Sequence, residues 1–387
     1  MEANEDAGQN QTTPLDDAAR LKAFGRAIDA IRKRVEAEVG EEDVRYVVNL
    51  NRFSRAMEIA GRALIHFSPE PFTFTAGVLA LWVHKQLQAT EIGHTALHGA
   101  YDKLPGAEKF HSKSFHWELP IDEASWHTGH NVKHHQYTNI AKKDPDINFG
   151  SIRLTDRTPH RFEHYVQVPT TFLFSWPFFG VSMNAHFTGL LDVYGAHGWA
   201  EGFDVIERKD WTTIVEVHKR AFRKYARHAL KEYVLFPALA GPFFWKVALG
   251  NFLSSRMRDL YSAATIYCGH VGEDVASYPE GAKASGRGQW YAMQAEASNN
   301  FTAPWPLTIL CGGLEHQIEH HMFPKLPPQR LRQIAPEVRA ACAEHGVEYR
   351  SESWPRTLVK AIKHIAKLSL PVGGPVAAVR RVAREMA

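Results

Sequence analysis

The sequence is poor in the features that define several common protein classes. It holds three cysteines among 387 residues, without C-x-x-C spacing. This argues against a disulfide framework and a cysteine metal site, and it favours a reducing compartment. The formal net charge of +3 gives no case for a nucleic-acid partner. No uninterrupted run of about 18 apolar residues occurs, so the simple length rule identifies no membrane span.

The first residues, MEANEDAGQNQTTPLDDAAR, are polar and acidic. They lack the basic start and the apolar run of a signal peptide, which predicts a cytosolic start. We expect a disordered tail over 1–17 and amphipathic helices over 18–67. The region that contains the histidine clusters is predicted over 68–350, and a basic amphipathic tail is predicted over 351–387.

Three weaker apolar segments remain, and they are Pro71–Val83, Val166–Met183 and Val234–Leu253. The last two are rich in Phe, Trp and Pro, a composition that occurs in membrane helices. Buried helices in the core of a soluble protein would have the same apolar and aromatic composition. The residues alone therefore leave both interpretations open.

Histidine is the residue type in excess. Eight of the 22 histidines fall between His94 and His135. Three short clusters stand out, and they contain His94 and His98; His130, His134 and His135; and Gln317, His320 and His321. His270, between Gly269 and Gly272, is a plausible ninth member because its glycine neighbours leave room for close approach.

Spacing within the clusters suits metal binding. Side chains four apart on a helix share a face, with their Cβ atoms about 5–6 Å apart. Imidazole suits iron and zinc, and a doubled His can give one ring to each of two metals. Nearby carboxylates could orient the rings, and the candidates are Glu91, Asp144, Asp146, Glu273, Glu315 and Glu319. His127 and His316 are expected outside the ligand set, in supporting or substrate-facing positions.

Because of these three clusters, the sequence resembles the membrane fatty acid desaturases over roughly residues 70–350. The resemblance includes Tyr137-Thr138-Asn139 and Asp144-Pro145-Asp146 after the second cluster. It also includes His270 with the Val-Gly-Glu-Asp that follows, and Phe323-Pro324 after the third cluster. Gln317 in place of a first His is similar to the front-end desaturases, which act between an existing double bond and the carboxyl end.

The resemblance implies an all-α fold, with membrane helices and a cytosolic helical cap that carries a histidine-rich di-metal site. It implies two Fe ions, O2 as co-substrate, an acyl chain (acyl-lipid or acyl-CoA) as substrate, and an integral membrane enzyme with its active site on the cytosolic side. The sequence has no His-Pro-Gly-Gly haem motif. Electrons would therefore come from a separate ferredoxin, or from a b-type cytochrome with its reductase.

Three other functions compete with desaturation. A lipid, carotenoid or alkane hydroxylase could use the same di-iron site. A zinc peptidase would use His316, Glu319 and His320, which match H-x-x-E-H, but it leaves the other two clusters idle. A non-catalytic metal-binding membrane protein would hold iron without consuming oxygen.

Overall fold

Helices make up nearly all of the regular structure in the computed structural model, which describes residues 14–149, 152–194 and 210–371. The predicted all-α class is confirmed. The α-helices are α1 (Pro14–Glu38), α2 (Glu41–Phe67), α3 (Pro71–Ala89), α4 (Thr95–Leu97), α5 (Glu123–Trp126), α6 (His135–Tyr137), α7 (Gln167–Pro169), α8 (Phe179–Phe187), α9 (Leu190–Val193), α10 (Trp211–Ala229), α11 (Phe236–Ala238), α12 (Phe244–His270), α13 (Arg287–Glu296), α14 (Leu307–Cys311), α15 (Gln317–Met322), α16 (Pro328–Glu344) and α17 (Trp354–Leu368).

Shorter elements connect these helices. The π-helical segments are Thr90–His94, His127–His134, Thr170–Ser175 and Leu230–Leu235, and the 3₁₀ turns are Glu108–Phe110, Pro145–Ile147, Phe162–Val166, Gly241–Phe243 and Leu314–His316. The strands are β1 (Asn148–Phe149), β2 (Ile152–Arg153), β3 (Asn300–Thr302) and β4 (Ser351–Ser353). β1 pairs antiparallel with β2, and β3 pairs parallel with β4.

The predicted N-terminal helix forms but begins earlier than expected. α1 starts at Pro14, so residues 14–17 of the predicted tail are helical, and residues 1–13 lie outside the described ranges. Proline suits the first helical turn, because its missing N–H would have no partner there. Phe24 and Ile28 of α1 are fully buried in a core shared with Tyr291 of α13 and Leu331 of α16.

A tightly packed helical hairpin leads to the first histidine cluster. Glu70 caps α3 by accepting hydrogen bonds from the backbone N–H groups of Phe72 and Thr73. α2 and α3 approach closely, because a Cβ at Gly61 would lie only 2.7 Å from the backbone nitrogen of Leu81. α3 continues through the π segment into α4, so a single helical run leads from the hairpin to His94.

Two of the three apolar segments are not single helices. Val166–Met183 is interrupted at Trp176–Phe178, around Pro177, and Val234–Leu253 is interrupted by the 3₁₀ turn Gly241–Phe243. Proline lacks the backbone donor that a helix interior requires. Among the described residues, none of the helices is at once long and apolar enough to cross a membrane.

Candidate metal centre

The first cluster lies at the end of the helical run from α3. The Nε2 atoms of His94 and His98 are 3.1 Å apart. Both side chains are buried, at 8% and 5% relative exposure. The predicted i, i+4 pair therefore directs two ring nitrogens to the same point.

The second cluster lies on a π-helix, which the sequence analysis missed. Asp122 caps the preceding α5 by accepting from the backbone N–H of Ser125. The widened turn then runs over His127–His134, and such π segments frequently occur at functional sites. The rings of His130 and His134 stack with centroids 5.0 Å apart, but the two residues contribute to different groups of ring nitrogens.

The third cluster meets His270 at the C-terminal end of α12. The Nε2 atom of His270 lies 3.0 Å from Nε2 of His321 and 2.6 Å from Nε2 of Gln317. Gln317 and His321 thus share a face of α15, as their spacing predicted. The neighbouring His320 points to the other group, so the doubled His splits between two positions as expected.

The structure thus gathers all nine predicted residues around two positions. One group contains His94, His98, His130 and His320, and the other contains His134, His270 and His321. Gln317 adjoins the second group through His270. His135 lies between the groups, with ring centroids 4.7 Å from His98 and 4.4 Å from His321. Their role as ligands remains a prediction, but the arrangement has the two centres that three clusters indicated.

The donor set fits metal ions. Burial lowers the pKa values of His94, His98, His130, His135, His270, His320 and His321 well below the usual range, and the neighbouring rings lower them further. These rings are therefore neutral and able to coordinate. Within the described ranges, the Nε2 atoms of His134 and His320 and both ring nitrogens of His135 are buried without a hydrogen-bond partner. Such atoms are costly to bury, and a bound cation would satisfy the one unprotonated nitrogen of each ring.

Two of the six carboxylate candidates contact the rings. Asp144 Oδ1 lies 2.9 Å from Nδ1 of His134, and Asp146 Oδ2 lies 3.2 Å from Nδ1 of His130. A carboxylate on Nδ1 fixes the orientation of a ring and leaves Nε2 for a metal. Burial lowers the pKa of His134, but Asp144 and Asp146 outweigh burial and raise it to about 9.

The other four carboxylates have different partners. Arg332 pairs with both Glu91 and Glu315. Glu319 accepts hydrogen bonds from Asn300 Nδ2 and from the Tyr349 hydroxyl, each at 2.8 Å. Burial raises the pKa of Glu319 to about 7. Glu273 pairs with Lys367 at the surface. The expectation that these four orient rings directly is wrong, because sequence proximity did not bring their carboxylates to the imidazoles.

His127 and His316 stay outside both groups. His127 is exposed on the outer face of its π-helix. His316 precedes α15, and its Nδ1 lies 3.8 Å from Glu319 Oε2. His316 has non-helical backbone angles, so it does not continue the helix that carries His320. The zinc-peptidase hypothesis required His316 and His320 to bind one zinc ion from the same helix, and the backbone at His316 does not support this arrangement.

Sequence reasoning missed several residues that hold the rings in place. The Trp126 ring stacks on His130 with centroids 4.6 Å apart and meets His94 and His98 edge-on. The Nδ1 atom of His321 lies 3.1 Å from both Thr138 Oγ1 and Gln294 Oε1. Thr138 belongs to the Tyr-Thr-Asn motif, which was a usable signal. Gln294 offered no signal, because it is distant in sequence from every cluster.

An apolar cavity of about 620 Å³, a volume that includes its mouth, adjoins the rings. His94, His130, His270 and Gln317 lie at this cavity, and its apolar walls include Trp117, Leu119, Ile121, Phe179, Met183 and Ile266. A helical protein with two groups of ring nitrogens that could hold metal ions, beside an apolar cavity, is suited to metal-dependent chemistry on an apolar substrate.

Sequence comparison identifies the family within that class. The family model for fatty acid desaturases matches residues 70–353. The chain belongs to the fatty acid desaturase family, and it is an oxidoreductase that desaturates acyl chains.

Curated relatives include desaturases of several kinds. The NADPH-dependent stearoyl-CoA 9-desaturase of Mycobacterium tuberculosis is 32% identical over 370 residues, which cover 91% of this chain and 81% of that protein. The acyl-lipid (8-3)-desaturase of Physcomitrium patens is 29% identical, over 75% of this chain and 60% of that protein. The sn-1 linoleoyl-lipid 6-desaturase of Synechocystis is 23% identical, over 83% and 89% respectively.

Proposed function

We propose that this desaturase holds two Fe ions in the two histidine groups. The proposed ligands are His94, His98, His130, His134, His135, His270, Gln317, His320 and His321. The observation that carries this proposal is the convergence of buried ring nitrogens on two positions. When bound, the irons would supply the oxidant that forms from O2 and two external electrons. Two hydrogens of the acyl chain, these electrons and two protons then reduce O2 to two water molecules.

The residues of the chain bind the acyl substrate and exclude water. The apolar walls of the cavity suit an alkyl chain, because burial of each CH₂ group contributes about 0.8 kcal/mol. Acyl-CoA and acyl-lipid are both proposed carriers, in line with the substrates named in the relatives. Electrons are proposed to come from a separate ferredoxin, or from a b-type cytochrome with its reductase.

Integral attachment to a membrane is proposed from the exposed apolar surface. Leu173 and Phe174 are 64% and 66% exposed, and Leu239 is 76% exposed. The guanidinium of Arg256 lies over the rings of Phe178 and Phe252, at 4.3 and 5.3 Å, so these segments are neighbours. Exposed apolar side chains on neighbouring segments support membrane or partner contact.

The charge pattern of the continuous helix from α10 through α11 supports a cytosolic active site. Its first part exposes Lys219, Arg220, Arg223 and Arg227, and its second part exposes Leu230, Val234, Leu235 and Leu239. The basic part lies beside the second histidine cluster, because Lys224 Nζ is 2.6 Å from Glu123 Oε1 at the start of α5. Basic residues concentrate on the cytosolic side of membranes, so the metal centre is proposed on that side.

Two measurements on the intact protein test the function. Elemental analysis should find about two irons per chain. A fatty-acid profile by gas chromatography with mass spectrometry should show a new double bond in a host that expresses the protein. A new hydroxy acid would favour the hydroxylase, and zinc in place of iron would contradict the proposed centre. Iron without oxygen consumption would indicate a non-catalytic protein.

We expect Leu119→Trp to change the preferred chain length. Leu119 lines the apolar cavity and also a charged pocket with Arg62 and Lys85, so it forms the wall between them. A larger side chain there shortens the cavity. Since one methylene in an apolar pocket is worth about 1–3 kcal/mol, the ratio of shorter to longer products should rise at least about 10-fold. Leu173→Trp, at an exposed position, is the control, and an unchanged ratio in Leu119→Trp would contradict the assignment of this wall.

A further inference from the structure

Arg332 on α16 links the chain segments that carry the first and third histidine clusters. Its Nη1 and Nη2 atoms lie 2.8 and 2.9 Å from the two carboxylate oxygens of Glu91. Its Nε atom lies 2.6 Å from Oε1 of Glu315, and Nη2 also donates to the carbonyl oxygen of Thr308 at 3.0 Å. One guanidinium therefore holds two carboxylates from different parts of the chain.

Both carboxylates depend on this contact. Glu91 and Glu315 are 0% and 1% exposed, and removing one partner of a buried ion pair leaves an uncompensated buried charge, which is strongly destabilising. Tyr46 donates a hydrogen bond to Glu91, but a hydroxyl does not neutralise its charge. The guanidinium of Arg332 thus fixes the distance between the two segments.

These segments lead directly to the predicted ligands. Glu91 lies in the π segment that ends at His94, and Glu315 precedes Gln317 by two residues. The backbones also touch nearby, since a Cβ at Gly312 would lie 2.5 Å from the Cβ of Thr90. Gly312 has φ +77°, a conformation that glycine adopts most readily. A shift of one segment against the other would separate His94 from the rings of the third cluster.

We propose that Arg332 is a positioning residue that sets the register between the first and third clusters, and with it the geometry of the metal group that contains His94, His98, His130 and His320. Arg332 itself contacts none of these rings, so it acts through Glu91 and Glu315. The proposal rests on the di-iron centre proposed above. A lysine cannot replace it, because only the planar fork of arginine binds one carboxylate with two donors and a second carboxylate with a third.

Arg330 provides a matched control on the same helix. Its Nε and Nη2 atoms bind both oxygens of the buried Asp43, at 2.9 and 3.0 Å. Arg330→Lys therefore removes a similar bidentate contact with a carboxylate. Asp43, however, belongs to α2 and not to a histidine cluster. Any general cost to the fold should be similar in Arg332→Lys and Arg330→Lys.

The experiment compares purified intact protein with these two variants. Iron release to an excess of chelator should be about 10-fold faster in Arg332→Lys than in Arg330→Lys, in line with the effect of residues that orient metal ligands. The ratio of hydroxylated to desaturated product should also rise in Arg332→Lys alone, because a displaced metal meets the acyl chain at a different position. A purely structural role would change neither quantity relative to the control.

Each outcome has a defined meaning. Equal iron release and equal product ratio in the two variants would overturn the role of Arg332. Intact protein without iron would instead overturn the proposed centre. If Arg332→Lys does not accumulate, Glu315→Gln is tested in its place. This substitution removes the charge of Glu315 and keeps an oxygen that can accept the hydrogen bond from Arg332. Faster iron release in that variant supports the proposal, and unchanged release or failure to accumulate contradicts it.

Discussion

His320→Ala is expected to abolish desaturation while the protein still accumulates. The Nε2 atom of His320 is buried without a hydrogen-bond partner among the described residues, and its ring centroid lies 4.9 Å from that of His94. Its removal deletes one of the four nitrogen donors in its group. Changing only a residue that orients a ligand already costs about 10–100-fold in metal affinity or activity, so loss of the ligand itself should cost more. The measurement is the fatty-acid profile of the expressing host.

The matched control is His127→Ala, which removes a histidine that is exposed on the π-helix of the second cluster. It should leave the product profile and the iron content unchanged. We expect iron content in purified His320→Ala to fall below that of the intact protein. Full activity in His320→Ala would refute its assignment as a ligand, and equal loss in both variants would point to a general sensitivity of the region.

Asp144→Asn is expected to give the next largest effect. Asp144 is 0% exposed, and its oxygens accept hydrogen bonds from the backbone N–H groups of Asn139 and Asp146 at 2.7 and 2.8 Å, in addition to the contact with His134. An amide offers only one acceptor oxygen, so at least one of these donors loses its partner. The ring of His134 then loses its fixed orientation, and iron affinity should fall by about 10–100-fold.

The pH dependence gives this variant a second readout. With a pKa of about 9, metal-free His134 carries a second proton at neutral pH, and this proton must leave before Nε2 binds a metal. Iron affinity of the intact protein should therefore rise with pH up to about 9. In Asp144→Asn the pKa of His134 falls because a negative charge is lost, so the rise should end at a lower pH.

Asp274→Asn is the control for Asp144→Asn. Asp274 pairs with Lys360 at 2.9 Å near the surface, and such pairs contribute about 0–1 kcal/mol. It should retain iron and the pH dependence of the intact protein. Iron retention in Asp144→Asn equal to that of this control would show that the carboxylate does not orient His134.

The ligand candidates were predictable because each cluster is local. Residues four apart on a helix share a face whatever the rest of the chain does, so His94 and His98 could be paired from spacing alone. The helices α1, α2 and α17 could be placed for a similar reason, since the period of their apolar residues indicates a buried face. The metal-binding character of the chain therefore followed from short-range geometry.

The grouping of those candidates required the fold. The π-helix over His127–His134 changes which rings of the second cluster converge, and the spacing of H-x-x-x-H does not reveal it. Likewise, sequence proximity made Asp144 and Glu319 equally good partners for a ligand ring, yet only Asp144 contacts a ring of the two metal groups.

The sequence by itself determined the all-α class and the choice of the nine nitrogen-rich side chains. Tertiary structure alone decided which rings share a metal position, which carboxylates orient them, and that Arg332 joins two distant segments. The physical reason is that helix periodicity fixes contacts only within a few residues along the chain. Contacts such as that between Arg332 and Glu91 depend on how buried helices pack, which no local pattern encodes.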